Sequence, residues 1–317
     1  DKGVLSGLST KIGELMEGEV KAYVATLDWE SMKQARFDQL KEMLAECQAR
    51  LTRTRIAVDD IHGAQHSANA CLELVAEDAL STAEQKKLSP RVWRWISICE
   101  RYFGIAISQI INPEGQDPSL QYELRLAALR HFALACDFGR RAEVSDCVIA
   151  AGISAWNVSL HLVEVVDVRE SLMRLQRQIL SAIVPVARET NDDRAWAVAA
   201  QMYLSLIDEE TQVLDWDAAL ALVMEAFGCL PAHVQKPLWK WRVVVMSKKG
   251  KNVLDSLQKM KESDSSLQAR VFGILARSAS NPMQQLDAYK QAIDILSGEV
   301  LQVDYMLETC QWMASSG

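Results

Sequence analysis

Residues 216–231 read Trp-Asp-Ala-Ala-Leu-Ala-Leu-Val-Met-Glu-Ala-Phe-Gly-Cys-Leu-Pro. Ala219, Val223 and Ala226 recur at spacings of four and three, the period that lines one face of an α-helix. Pro231 then closes the segment, because a proline cannot continue the hydrogen-bond ladder. The same three- and four-residue spacing runs through segment after segment of the chain, and strict alternation over a strand's length is hard to find. The sequence therefore predicts an all-α fold.

Working outward, Ser89-Pro90, Asp117-Pro118 and Asn281-Pro282 each place an N-cap residue before a proline at the first helical position. There the fixed φ suits the helix and the missing N–H costs nothing. Ser81 with Glu84 fits a capping box, and Gly139, Gly250 and Gly298 stand where left-handed C-caps would end helices. Helices are expected at about 4–26, 29–56, 65–79, 90–111, 118–138, 140–162, 168–189, 192–210, 216–229, 235–249, 252–262, 265–277, 282–297 and 301–313. Pro185 should kink or shorten the helix at 168–189. Gly3, Gly7, Gly13 and Gly18 weaken the first segment. Short connectors make neighbouring helices antiparallel, so the chain reads as a succession of helical hairpins.

Tetratricopeptide units are helix-turn-helix repeats of about 34 residues with small residues where the helices cross. Residues 216–231 fit the second half of such a unit. Trp196, Ala199, Ala200 and Tyr203 fit the first half, with a turn several residues too long. From Val223 and Ala226 to Tyr289 and Ala292 is 66 residues, about two periods of that repeat. Gly273 takes the small position of the last first-helix, while the hairpin at 235–249 and 252–262 lies between, turning at Gly250. Gln285 and Ser297 depart from the pattern. The expectation is a helical-hairpin solenoid with three degenerate tetratricopeptide-like repeats across 192–297, of the kind whose concave face binds peptides or helices. In domain terms, 1–115 is a helical N-terminal region, 116–191 a set of helical hairpins, and 192–317 the repeat region.

Bulk properties narrow the function. With 34 basic against 42 acidic residues the formal net charge is −8, the wrong sign for neutralising many phosphates, so no nucleic-acid partner is expected. No apolar run approaches the ~20 residues that cross a bilayer, so no membrane partner is expected either. Seven scattered cysteines without a C-x-x-C pair read as buried thiols in a reducing, cytoplasmic compartment. The sequon Asn157-Val158-Ser159 falls inside an expected helix and reads as coincidence. Asp1 in place of methionine and the terminal Ser315-Ser316-Gly317 suggest a piece of a longer protein.

No phosphate-binding glycine loop, H-E-x-x-H zinc signature, nucleophile elbow or EF-hand loop occurs. No catalytic residue, cofactor or metal site is expected, and the chain does not read as an enzyme. His62 and His66 share i,i+4 spacing, but Gly63 weakens that helix and no third ligand is evident, so they read as surface histidines. His131 and His161 read as packed or half-exposed.

One segment stands out electrostatically. Lys236, Lys240, Arg242, Lys248, Lys249 and Lys251 surround Trp239, Trp241, Val244 and Val245 without an acidic residue among them. Trp239, Lys240, Trp241, Arg242, Lys248 and Lys249 are the candidate partner-binding residues, in the manner of a basic amphipathic calmodulin target. In the plainer reading one tryptophan packs inside its hairpin and the charges are solvated, facing Asp208, Glu209, Glu210, Asp215 and Asp217. Nine tryptophans are present. Trp93-x-Trp95 repeats the spacing of Trp239-x-Trp241, which puts the two rings of each pair on different helix faces. One ring of each pair then packs on a neighbouring repeat or anchors a partner.

The run Trp216-Asp217-Ala218-Ala219-Leu220, Pro231, Leu238-Trp239-Lys240-Trp241-Arg242-Val243-Val244, Gln268-Ala269-Arg270-Val271, Asn281-Pro282 and Gln285-Leu286-Asp287-Ala288-Tyr289-Lys290-Gln291-Ala292-Ile293 resembles the tetratricopeptide-bearing cilia- and flagella-associated protein 46 family. The likeness covers roughly 190–297, more faintly the Leu129-Arg130-His131-Phe132 and Ala155-Trp156-Asn157 helices, and no feature of 1–115. The resemblance implies a non-catalytic structural subunit of the axonemal central apparatus in cilia or flagella. It implies other central-apparatus proteins and calmodulin as partners, and a cytoskeletal place in the axoneme. No functional residues carry over. The alternative is a soluble, cochaperone-like tetratricopeptide adaptor whose basic groove captures acidic chain ends.

Overall fold

A computed structural model describes residues 34–73, 88–250, 265–279, 281–296 and 300–316, together with Gly18. The fold is all-α, with twelve α-helices, two short 3-10 turns and no strand among the described residues. The chain divides into two compact units, Asp1–Ala199 and Ala200–Gly317.

The first unit contains α1 (Gln34–Ala57), α2 (Ile61–Leu72), α3 (Pro90–Ile110), α4 (Pro118–Arg141), α5 (Ser145–Ser159) and α6 (Arg169–Thr190), followed by the start of α7 (Asp193–Gln212). Ser89 and Asp117 cap α3 and α4 as the sequence predicts, their side chains accepting from the Val92 and Ser119 amides. Most helices pack on their chain neighbour and also on the helix one further along: α1 on α2 and α3, α3 on α4 and α5, α4 on α5 and α6. Small residues let these helices approach. Ala45, Ala49 and Ala68 are almost fully buried, and with Val92, Ile96 and Phe103 they form the core between α1, α2 and α3. Polar ties cross the next interface, where Ser97 Oγ donates to the Ala135 carbonyl at 2.7 Å and His131 Nδ1 lies 2.6 Å from Glu100 Oε2. Glu100 is only 2% exposed, and a buried carboxylate needs a partner of this kind to offset its lost hydration.

Several boundaries depart from sequence expectation, each for a local reason. The helix expected from residue 65 starts at Ile61, because the Asp60 side chain accepts from the Gly63 amide and Arg55 donates to the Gly63 carbonyl at 2.7 Å. A Cβ at position 63 would lie 2.1 Å from Asp60 Oδ2, so the glycine makes room for the cap instead of breaking the helix. Gly139 does not end α4. It lies inside the helix, where a Cβ would meet Val148 Cγ2 at 3.0 Å, and thus admits α5; the left-handed turn residue is Glu143, at φ 56°. Pro185 does not end α6, which runs on to a left-handed cap at Asn191. Pro185 and Ser181, one turn before it, are both exposed, so water can meet the carbonyl that proline leaves without its bond.

The cysteines are more varied than expected: Cys71, Cys99 and Cys136 are buried, Cys47, Cys147 and Cys229 half-buried, and Cys310 exposed. Burial pushes the Cys136 thiol far up from its ordinary value, which keeps it protonated. Ser159 of the sequon is buried in α5, its hydroxyl donating to the Ala155 carbonyl.

The second unit holds the remainder of α7, then α8 (Trp216–Cys229), α9 (Leu238–Lys248), α10 (Ser265–Ser278), α11 (Pro282–Ile295) and α12 (Val300–Ser316). A 3-10 turn at Ala232–Val234 precedes α9, so that helix begins three residues later than expected. Gly250 follows it at φ +63°, the left-handed conformation foreseen for its C-cap. Asn281 caps α11 through the Met283 amide. Chain neighbours again pack together: α8 on α9, α9 on α10, α10 on α11, α11 on α12. Val223, Ala226 and Ala292 are fully buried and Tyr203 and Tyr289 nearly so. Tyr203 donates to Glu225 at 2.7 Å, and Tyr289 donates to Glu308 at 3.0 Å. A Cβ on Gly273 would lie 2.4 Å from the Tyr305 ring, so this small residue seats the last helix. Apart from Gly18, the expected helix at 4–26, the residues 74–79, the Ser81–Glu84 box, the hairpin arm at 252–262, Lys251, Ser297 and Gly298 lie outside the described residues.

Candidate interaction surfaces

The basic segment singled out by sequence forms α9 and its flanks, and the structure divides its residues into two groups. Trp239 turns toward α8, with its ring 5.0 Å from that of Phe227 in an edge-on arrangement. The Arg242 guanidinium lies over both rings, 4.5 Å from Phe227 and 4.9 Å from Trp239. Burial among them pulls the Arg242 pKa down from its ordinary value. These three side chains form one packed cation–aromatic stack. Lys240 and Lys248 are exposed, and Trp241 is half-exposed with the Lys240 ammonium 5.1 Å from its ring centre. Lys249 pairs with Asp217 at 2.6 Å. Of the acidic residues considered as its neighbours, Glu209 and Glu210 are buried, since they fall one turn beyond Leu206 on the buried side of α7. The outward residues of α9 are thus Lys240, Trp241 and Lys248.

Chemistry-bearing residues elsewhere are held in structural roles. His62 and His66 are exposed on α2, and among the described residues no cluster of three histidine, cysteine or acidic side chains is placed to hold a metal. His131 meets Glu100 and the Phe103 ring, whose centre is 4.3 Å away, inside the α3–α4 interface. No helix among the described residues is long and apolar enough to cross a membrane.

Sequence reasoning passed over an open groove of 830 Å³ in the first unit, lined from α1, α3 and α5. Arg50, Arg53, Trp95, Arg101, Tyr102 and Asp146 give it its polar and aromatic walls. Arg50 and Arg53 stand one turn apart on α1, and the Arg94-Trp95 pair and Arg101 lie two turns apart on α3. Those spacings are visible in the sequence, but the meeting of the two helices is not.

Over 207 residues the chain is 23% identical to cilia- and flagella-associated protein 46 from Chlamydomonas reinhardtii. The match covers 65% of this chain and 7% of that protein, so the chain spans a small part of the relative's length. No family model matches the chain.

Proposed function

We propose that this chain is a non-catalytic protein-interaction scaffold, a solenoid of degenerate tetratricopeptide-like hairpins that forms a structural part of the ciliary or flagellar central apparatus. The similarity to cilia- and flagella-associated protein 46 over 65% of the chain carries this reading. It is supported by the burial of the repeat positions: Trp196, Ala199, Ala200, Tyr203, Ala219, Val223 and Ala226 are each at most 4% exposed. Small residues buried at helical spacing serve close helix crossing, and such hairpins bury their apolar faces only by stacking. The partners are other central-apparatus proteins and calmodulin, met through the outward face of α9 with Lys240, Trp241 and Lys248.

Expression of the tagged chain in a motile ciliated cell, followed by detergent extraction, tests this reading. The wild-type chain should stay with the axoneme, and a Lys240→Glu/Lys248→Glu variant of unchanged helicity should be released. Recovery of the wild type wholly in the detergent-soluble fraction would instead favour the soluble adaptor.

A further inference from the structure

We infer that the groove between α1, α3 and α5 binds a carboxylate-rich, extended segment of a partner protein. This rests on the scaffold reading only for its premise that the chain binds proteins.

Several charged side chains of the described residues answer one another locally. Arg55 lies beside Asp60, Arg140 and Arg141 reach Asp137, Arg194 reaches Asp192, and Arg277 grips Glu308. In the groove, Arg50, Arg53 and Arg101 face a single acidic wall residue, and among the described residues neither Arg53 nor Arg101 is paired with a carboxylate. Arg50 is held by Glu46, yet its side chain remains 71% exposed. Arg101 spends only its Nε, donating to Ser154 Oγ at 3.4 Å, which leaves its terminal nitrogens for another acceptor. Asp146 is the one acidic side chain on the wall among the described residues. Three arginines against one wall carboxylate leave an excess of like charge that costs stability, and an acidic occupant would relieve that cost.

The aromatic lining gives the occupant a shape. The Arg50 and Arg94 guanidiniums lie 5.8 and 5.4 Å from the Trp95 ring centre, and Arg101 lies 5.7 Å from the Tyr102 ring. Guanidinium planes fixed against rings are preorganised forks for carboxylates, which they grip with paired hydrogen bonds. Between the walls the floor is small, made by Ala49, Ser97 and Ala150. The Arg50–Arg53 row rises about 5 Å and the Arg94–Arg101 row about 10 Å along their helices. An extended peptide covers such a run in about three residues at ~3.4 Å each.

The test is fluorescence anisotropy with the full chain and a fluorescein-labelled peptide of eight glutamates, against the matching peptide of eight glutamines. The glutamate peptide should bind, and binding should weaken steeply with salt. Arg53→Glu, at an exposed position outside the core, and Arg101→Gln should each weaken it by about tenfold, with circular dichroism unchanged. Lys240→Glu/Lys248→Glu, which alters the basic face of α9, should leave the affinity unaltered. Equal binding of the glutamine peptide, loss only with the α9 variant, indifference to both arginine variants, or stronger binding of a polyuridylate probe would each overturn the proposal. Failure here leaves axonemal retention of the chain untouched, and failure of retention leaves peptide binding untouched.

Discussion

Two helices carry the same Trp-x-Trp pattern, and they solve the same packing problem differently around it. In α3, Trp93 turns inward, stacked on Phe138 at 5.4 Å with the Arg141 guanidinium 5.0 Å from its ring, while Trp95 stays half-exposed beneath Arg50 and Arg94. In α9, Trp239 turns inward against Phe227 with Arg242 above it, while Trp241 stays half-exposed beside Lys240. Both inward rings pack on a neighbouring aromatic beneath an arginine. The outward ones differ, because Trp95 lies in a groove whose arginines come from two helices, whereas the cation at Trp241 comes from its own helix. Local charge density therefore marks α9 in the sequence, whereas the groove at Trp95 is made by the convergence of separate helices.

The largest effect should separate the inward rings. Trp93 is 5% exposed, so Trp93→Ala should destabilise by about 3–5 kcal/mol through lost transfer energy and the cavity left behind. Trp239 is half-exposed, and its truncation should cost about 1–3 kcal/mol. Trp95→Ala and Trp241→Ala should cost less than either. Urea unfolding of the four variants measures the order, and an equal loss from Trp93→Ala and Trp95→Ala would break the division into inward and outward rings.

The smallest effect contrasts answered with unanswered arginines. Arg277 and Tyr289 donate to the Glu308 carboxylate, with Arg277 at 2.6 and 2.7 Å, and the arginine's bonds do most to hold that carboxyl below its ordinary value of 4.5. The same carboxylate, after burial, pushes Tyr289 up to about 12. For Glu308, the unfolded chain binds more protons than the folded one between the two carboxyl pKa values. Its contribution to stability is therefore present above 4.5 and lost as pH falls through the lower folded value. Glu308→Gln should lower stability at neutral pH and flatten that part of the acid-unfolding curve, followed by circular dichroism. Arg53→Ala should leave stability within about 0.5 kcal/mol, and an equal loss from Arg53→Ala and Glu308→Gln would erase the contrast.

What the sequence made legible was whatever depends on near neighbours. Ser89, Asp117 and Asn281 with their prolines specify three helix starts through side chains that reach only two or three residues ahead. The buried faces at Val223, Ala226, Tyr289 and Ala292 follow from helical periodicity alone. Gly139 and Gly63 misled because a glycine needed for close approach looks, in one dimension, like a helix breaker. The early end allowed for at Pro185 does not occur, because its cost depends on which side of the helix meets water. The basic candidate at α9 was half legible: charge marked it, but nothing local showed that Trp239 and Arg242 would be taken up by Phe227. The groove was hidden because Arg53 and Arg101 are 48 positions apart, joined only by packing of α1 on α3.

Chemical cross-linking of isolated axonemes through lysine amines, read by mass spectrometry, tests the scaffold account most directly. The account expects links from the exposed Lys240 and Lys248 to other central-apparatus proteins. Links confined to soluble proteins, or to tubulin of the outer doublets, would contradict it.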